Sequence, residues 1–117
     1  NKEHPISLTS CLSNKYEGGQ DYISYHRDKP TREPYHTVVS LSLGEKRDFY
    51  FKSSKITDQR PKLGEVIKTY LDNGDLCLMF GTCQDFFTHS IPKRARVGGD
   101  RISLTFRDLQ NPKRKGK

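Results

Sequence analysis

The sequence has no tryptophan, one methionine and three cysteines among 117 residues. Each shortage closes off a class of protein. An odd set of cysteines, Cys11, Cys77 and Cys83, does not suggest a disulfide framework. With no Cys-x-x-Cys pair, a structural zinc site is not expected. The thiols read as small residues packed on or near the core, and the expected setting is an intracellular, reducing compartment, cytoplasm or nucleus. No apolar run is long enough to span a membrane. No basic start, apolar stretch and small-residue cleavage site mark a signal peptide. Helical periodicity is also scarce, because no long stretch places apolar residues at i, i+3, i+4 and i+7.

What the chain has is charge and short strand-like runs. Lysine and arginine number 21 against 14 acidic residues, a net charge of +7. That balance favours polyanionic partners such as nucleic acid; the plain alternative is a solvated basic surface. Four of the excess charges lie in Lys113-Arg114-Lys115-Gly116-Lys117, which leaves the body at +3. Residues 1–110 read as one domain and 111–117 as a basic C-terminal tail. The opening Asn1-Lys2-Glu3-His4-Pro5 runs almost directly into strand-like sequence, as though taken from a longer parent.

Period-2 patterning predicts eight strands: 8–15, 21–26, 36–43, 48–52, 65–71, 75–80, 86–91 and 101–108. Glu17-Gly18-Gly19-Gln20 reads as a turn. Asp72-Asn73-Gly74 carries the Asn-Gly pair of a tight turn, and 53–62 reads as a loop. Eight short strands with frequent turns and few helices imply a mainly β sandwich or barrel, of which a jelly roll is one form.

Two constellations carry chemistry. His26 and Asp28 are two residues apart, so in a strand they face the same side. A second imidazole arriving from far along the chain would complete two histidines and one carboxylate, a set that leaves open positions on a non-haem Fe(II) ion. His89, in Phe86-Phe87-Thr88-His89-Ser90-Ile91-Pro92, is the candidate. Its plain alternative is a hydrogen-bonded core histidine. In Arg101-Ile-Ser-Leu-Thr-Phe-Arg107, one face carries Arg101, Ser103, Thr105 and Arg107, and the other Ile102, Leu104 and Phe106. The apolar face is expected in a core. The two guanidiniums with hydroxyls between them suit a carboxylate, unless they form an exposed charged face.

In chain order the sequence presents Asn14-Lys15-Tyr16, Asp21 to Asp28, Ser40-Leu41-Ser42-Leu43-Gly44, Arg47-Asp48-Phe49, Gly74-Asp75-Leu76, His89 to Lys93, and Arg101-x-Ser-x-Thr-Phe-Arg107. With these landmarks it resembles the AlkB-like family of Fe(II)/2-oxoglutarate dioxygenases, the nucleic-acid demethylases. The resemblance runs from Cys11 to about Leu109 and implies a double-stranded β-helix. It implies Fe(II) held by His26, Asp28 and His89, with 2-oxoglutarate and O2 as cosubstrates. Arg101 and Arg107 match the family's two cosubstrate arginines, with Thr105 between them. Asn14 and Tyr16 match polar groups on the first strand. The reaction implied is oxidative removal of an N-methyl group from a base in DNA or RNA, releasing formaldehyde, succinate and CO2.

The sequence departs from the family in four places. Ser103 stands where many members have asparagine. Lys29 and Pro30 replace acidic residues that help read the base, so base specificity is not carried over. The chain begins too late to contain a nucleotide-recognition lid. Without tryptophan, base stacking would fall to Tyr22, Tyr25, Tyr35 or His36. Arg27, Lys29, Arg32 and Arg47 could form a basic rim that contacts phosphates. The expected partner is methylated nucleic acid, with no membrane, and the chain is expected to be a monomer. The same chemistry on a protein or small molecule, and a non-catalytic nucleic-acid-binding domain on the same scaffold, are the alternatives.

Overall fold

The computed structural model describes residues 8–28, 31, 36–56 and 62–108. Lys29, Pro30, Arg32, Tyr35 and the tail at 111–117 lie outside that set. Eight strands form: β1 (Ser10–Tyr16), β2 (Ile23–His26), β3 (Val38–Gly44), β4 (Arg47–Ser53), β5 (Val66–Leu71), β6 (Leu76–Met79), β7 (Phe87–Ile91) and β8 (Arg101–Arg107). Each expected strand is present with its ends displaced by no more than two residues. The sequence reading did not include the one-turn helix α1 (Cys83–Phe86), because four residues show no helical period.

The strands make two four-stranded sheets, β1-β8-β3-β6 and β2-β7-β4-β5, and every pairing is antiparallel. The chain crosses between sheets at almost every connection, which is the winding of a double-stranded β-helix. The Asn73-Gly74 turn takes part in this. It carries the chain from β5 in one sheet to β6 in the other, and closes no hairpin. Gly74 takes a positive φ of 86°. Its N–H donates to the Ser42 carbonyl at 2.7 Å, and Asn73 Oδ1 accepts from the Gly44 N–H at 2.9 Å. The turn is thus stitched to the end of β3, where backbone groups would otherwise lack partners. Gly19 does similar work at the other end. Its N–H and carbonyl pair with Val97 and Arg94, and a Cβ there would overlap the Arg94 carbonyl oxygen.

The apolar core between the sheets is small. Tyr16, Phe49, Leu71 and Ile91 are buried together, with Ile23, Phe51 and Cys77 against them. Much of the remaining interior is polar. On β8 the side facing the opposite sheet carries Arg101, Ser103 and Arg107, all buried. Ile102, Leu104 and Phe106 face outward, against the expectation that they sit in a core. In register with them on the same outer face are Val39, Leu41 and Leu43 of β3 and Leu76 and Leu78 of β6. Leu76 and Leu78 are 61% and 57% exposed. Alternation fixes the two faces of a strand but not which one points inward; here a polar cavity takes the inside.

All three cysteines are free. Cys77 and Cys83 are half-buried, and burial pushes the Cys77 thiol up to about 11. Cys11 is exposed, because odd-numbered residues of β1 pair with the outward side chains of β8. Among the described residues no helix is long and apolar enough to cross a membrane.

Candidate active site

A cavity of about 480 Å³ opens between the sheets, with His26, Asp28 and His89 at one part of its wall and Arg101, Ser103 and Tyr16 at another. The first group is built by strand pairing. His26 of β2 lies directly opposite His89 of β7, and the two ring centroids are 4.2 Å apart. Asp28 follows two residues after His26 and turns its carboxylate between the rings. His26 Nε2 is 3.7 Å from Asp28 Oδ1, and His89 Nε2 is 3.5 Å from Asp28 Oδ2. One ligand atom from each residue falls within 4.8 Å of the others.

The protonation of this group suits a metal. His26 Nδ1 is 2.8 Å from the Ser24 carbonyl. A carbonyl can only accept, so Nδ1 carries the hydrogen and a neutral His26 presents the Nε2 lone pair inward. The nearby Asp28 carboxylate raises the His26 pKa against the opposing effect of burial. Burial lowers His89 to about 4, in a slot where its ring stacks on Phe49 at 5.5 Å and lies 6.3 Å from Phe51. His89 is therefore neutral at pH 7. Burial opposes ionisation of Asp28, but the neighbouring His26, together with His89 and Arg107, holds its carboxyl below the usual range. Two imidazoles and an ionised carboxylate on one side of an open cavity fit a six-coordinate Fe(II) with free positions.

The second group fits a carboxylate. Arg101 is 1% exposed. Its Nη2 donates to Ser42 Oγ at 2.8 Å, and its guanidinium lies 5.4 Å from the centre of the Tyr16 ring. Among the described residues its Nε and Nη1 have no acceptor. Leaving a buried charged donor unpaired is costly, and a ligand carboxylate in the cavity would supply the missing acceptors. Ser103 and Thr105 hydroxyls lie 3.5 Å apart between the two arginines. Arg107 is buried at the metal end, with Nη2 3.9 Å from Asp28 Oδ1. Asn14 of β1 sits opposite Ser103 and also lines the cavity. Tyr16 is buried, which raises its pKa, so its hydroxyl stays protonated. The structure thus gathers Asn14, Tyr16, Arg101, Ser103, Thr105 and Arg107 with the His–Asp–His group around one space.

The residues expected at a substrate rim fare differently. Tyr25 points away from His26 to the outside of the sheet, where Lys52 Nζ sits 4.0 Å from its ring centre. Arg47 is 1% exposed and belongs to no rim. It donates to the carbonyls of Gly18, Asp21 and Pro92 at 3.1, 2.8 and 2.7 Å, pinning the β1–β2 loop to the β7–β8 loop behind the cavity. The reason is strand parity: Arg47, Phe49 and Phe51 share the inward face of β4. Arg27 does line the cavity, but its guanidinium is engaged by the Gln84 carbonyl and Ser54 Oγ. Lys29 and Arg32 lie outside the described residues. Missed from sequence were the aromatic slot around His89, which the alternation of Phe49 and Phe51 would have revealed, and Gln84, which nothing in the local pattern marks.

Two four-stranded antiparallel sheets thus enclose a His–Asp–His group and a buried, underpaired arginine, an arrangement that fits Fe(II) and a carboxylate ligand. The chain belongs to the 2OG-Fe(II) oxygenase superfamily, whose family profile matches residues 1–107. Within that superfamily it is AlkB-like. It is 36% identical to the DNA oxidative demethylase ALKBH2 of Mus musculus over 100 residues, covering 84% of this chain and 42% of that protein. Identity to the Arabidopsis thaliana ALKBH2 is 33%, over 86% of this chain and 37% of that protein. The alpha-ketoglutarate-dependent dioxygenase alkB homolog 3 of Bos taurus is 32% identical over 88% of this chain and 37% of its own length. The chain therefore spans about two fifths of the length of these relatives. A solved structure of OsALKBH1 superposes on 90% of this chain and 52% of its own, with a TM-score of 0.67 at 24% identity, and so shares its fold.

Proposed function

We propose that this chain forms the catalytic core of an Fe(II)- and 2-oxoglutarate-dependent dioxygenase that removes N-linked methyl groups from bases of nucleic acid. One observation carries the reading: a His–Asp–His group and a buried guanidinium whose Nε and Nη1 have no acceptor among the described residues share one cavity. The names of the relatives support the substrate class, since two are DNA oxidative demethylases.

His26, Asp28 and His89 would hold Fe(II). Arg101 would bind the far carboxylate of 2-oxoglutarate, with Tyr16 and Asn14 beside it, and Arg107 would stand near the metal end. Bound iron supplies the activation of O2, coupled to decarboxylation of 2-oxoglutarate to succinate and CO2. The protein's own share is orientation and exclusion. Arg101 fixes the cosubstrate lengthwise by paired charge-assisted hydrogen bonds. The Phe49 and Phe51 rings keep water from the buried side of His89. Ser103 and Thr105 offer hydroxyls without charge between the two arginines. A hydroxylated N-methyl group then loses formaldehyde. The free cysteines suit a reducing intracellular compartment, and the chain acts as a monomer in this reading.

The test is direct. The protein is incubated with Fe(II), 2-oxoglutarate and single-stranded DNA or RNA oligonucleotides carrying an N-methylated base, and formaldehyde and oligonucleotide mass are measured. The expected result is formaldehyde with loss of one methyl mass. Succinate formed on other substrates, with neither oligonucleotide altered, would move the assignment to a protein or small-molecule substrate.

A further inference from the structure

The short helix α1 has no part in the reading above, yet it touches Asp28 twice. Gln84 is 8% exposed. Its Oε1 accepts the Asp28 backbone N–H at 3.1 Å, and its Nε2 donates to Asp28 Oδ2 at 3.3 Å. The same Nε2 lies 3.6 Å from the Met79 sulfur. The amide can face only one way: reversed, it would set N–H against N–H and oxygen against carboxylate. Gln84 is itself held. Arg27 donates from Nε to the Gln84 carbonyl at 2.8 Å and from Nη2 to Ser54 Oγ at 2.6 Å. A path of hydrogen bonds therefore runs from the end of β4 through Arg27 and Gln84 to Asp28.

Asp28 needs such support. It lies two residues past the end of β2, beyond the strand register that fixes His26 opposite His89. Its carboxylate could rotate, because Oδ1 and Oδ2 face His26 and His89 at similar distances. An amide donor on Oδ2 removes that freedom. An amide also adds no positive charge, whereas a lysine or arginine in its place would repel a divalent cation. We propose that Gln84 is a positioning residue for the metal-binding carboxylate. It fixes both the backbone and the side chain of Asp28, and Arg27 holds Gln84 in place. This rests on the iron-site reading above and adds to it a role for a residue outside the ligand set.

The test is calorimetric titration with Mn(II) alone on wild type, Gln84→Met, Arg27→Met and His26→Ala, with 2-oxoglutarate titrated into the metal-free proteins as a control. Methionine keeps the length of Gln84 and removes both its hydrogen bonds. The expected loss of Mn(II) affinity is about tenfold for Gln84→Met and about threefold for Arg27→Met, as for other groups that orient a ligand. The affinity for 2-oxoglutarate, set at Arg101, should stay within about twofold because Gln84 bonds Asp28 and not the Arg101 end of the cavity. Wild-type protein that takes up no Mn(II), or takes it up equally with His26→Ala, would overturn the metal site itself. Wild-type binding that depends on His26 while Gln84→Met binds as tightly would overturn the role of Gln84 alone. Equal losses of Mn(II) and 2-oxoglutarate affinity would mark a general structural defect and also overturn it. If Gln84→Met does not fold, the side-chain amide resonances of Gln84 in wild type decide the matter on addition of Zn(II). They should shift and saturate at one equivalent, and an unmoved pair counts against the proposal.

Discussion

Arg47 and Arg101 are the same residue type, each 1% exposed, and each lies beside the Tyr16 ring. They differ in their acceptors. Arg47 donates to three backbone carbonyls in two loops, and only its Nε lacks an acceptor among the described residues. Arg101 has one serine hydroxyl, with Nε and Nη1 left open among the described residues. A buried cation with most of its donors satisfied by its own protein is a structural pin. One left underpaired beside a cavity is a receptor, whose cost is offset only when a ligand arrives. Burial and residue type alone do not separate these roles; the count of acceptors does.

The sharpest way to break this contrast is to remove each guanidinium in turn. Arg47→Met should lower the free energy of unfolding by about 4 kcal/mol, because three part-buried carbonyls lose a charged donor. Its folded fraction should still bind 2-oxoglutarate. Urea unfolding checks this, and a loss below about 1 kcal/mol would place Arg47 among dispensable surface charges. Arg101→Met should do the reverse. Its affinity for 2-oxoglutarate should fall roughly 100-fold, near the 3 kcal/mol of a charge-assisted pair. The ligand-free protein should be no less stable than wild type, since an underpaired buried charge has gone.

The metal end offers a smaller effect that depends on pH. His89 titrates at about 4 in the fold against about 6.5 in an unfolded chain. The unfolded state therefore binds the extra proton first. The contribution of neutral His89 is fully present above about pH 6.5 and is lost as pH falls towards 4. The metal-free protein should lose roughly 2–3 kcal/mol over that window. His89→Phe should flatten the loss, as seen in unfolding midpoints across the range. An unchanged slope in that variant would show that His89 is not held neutral.

The smallest effect belongs on the outer face of the β1-β8-β3-β6 sheet. Leu78 is 57% exposed there, so Leu78→Ser should change stability by less than about 0.5 kcal/mol and leave cosubstrate affinity alone. A large effect on either measurement would mean that this face communicates with the cavity.

Strand positions were legible because period-2 alternation is a local signal. The same period singled out His26 with Asp28, although Asp28 lies beyond the end of β2, and Asn14, Tyr16, Arg101 and Arg107 were matched from family resemblance. The inward direction was not legible for β8. Its Arg-Ser-Thr-Arg and Ile-Leu-Phe faces alternate cleanly, but sequence alone cannot say that a polar cavity displaces the apolar set to the outside. For Arg47 and Tyr25 the signal existed and went unused: Arg47 keeps step with Phe49 and Phe51, and Tyr25 falls out of step with His26. Gln84 carried no signal, because its role depends on a one-turn helix meeting a residue 56 positions earlier.

The central claim is that one cavity holds both the metal and the cosubstrate. Its most direct test is the affinity for 2-oxoglutarate measured with and without saturating Mn(II), in wild type and in His26→Ala. Sites that share a bound molecule must be coupled, and the coupling is reciprocal. Wild type should bind 2-oxoglutarate at least about tenfold more tightly with Mn(II) present, a coupling of about 1.4 kcal/mol, and His26→Ala should lose that gain. Equal affinity with and without the metal in wild type would contradict the account.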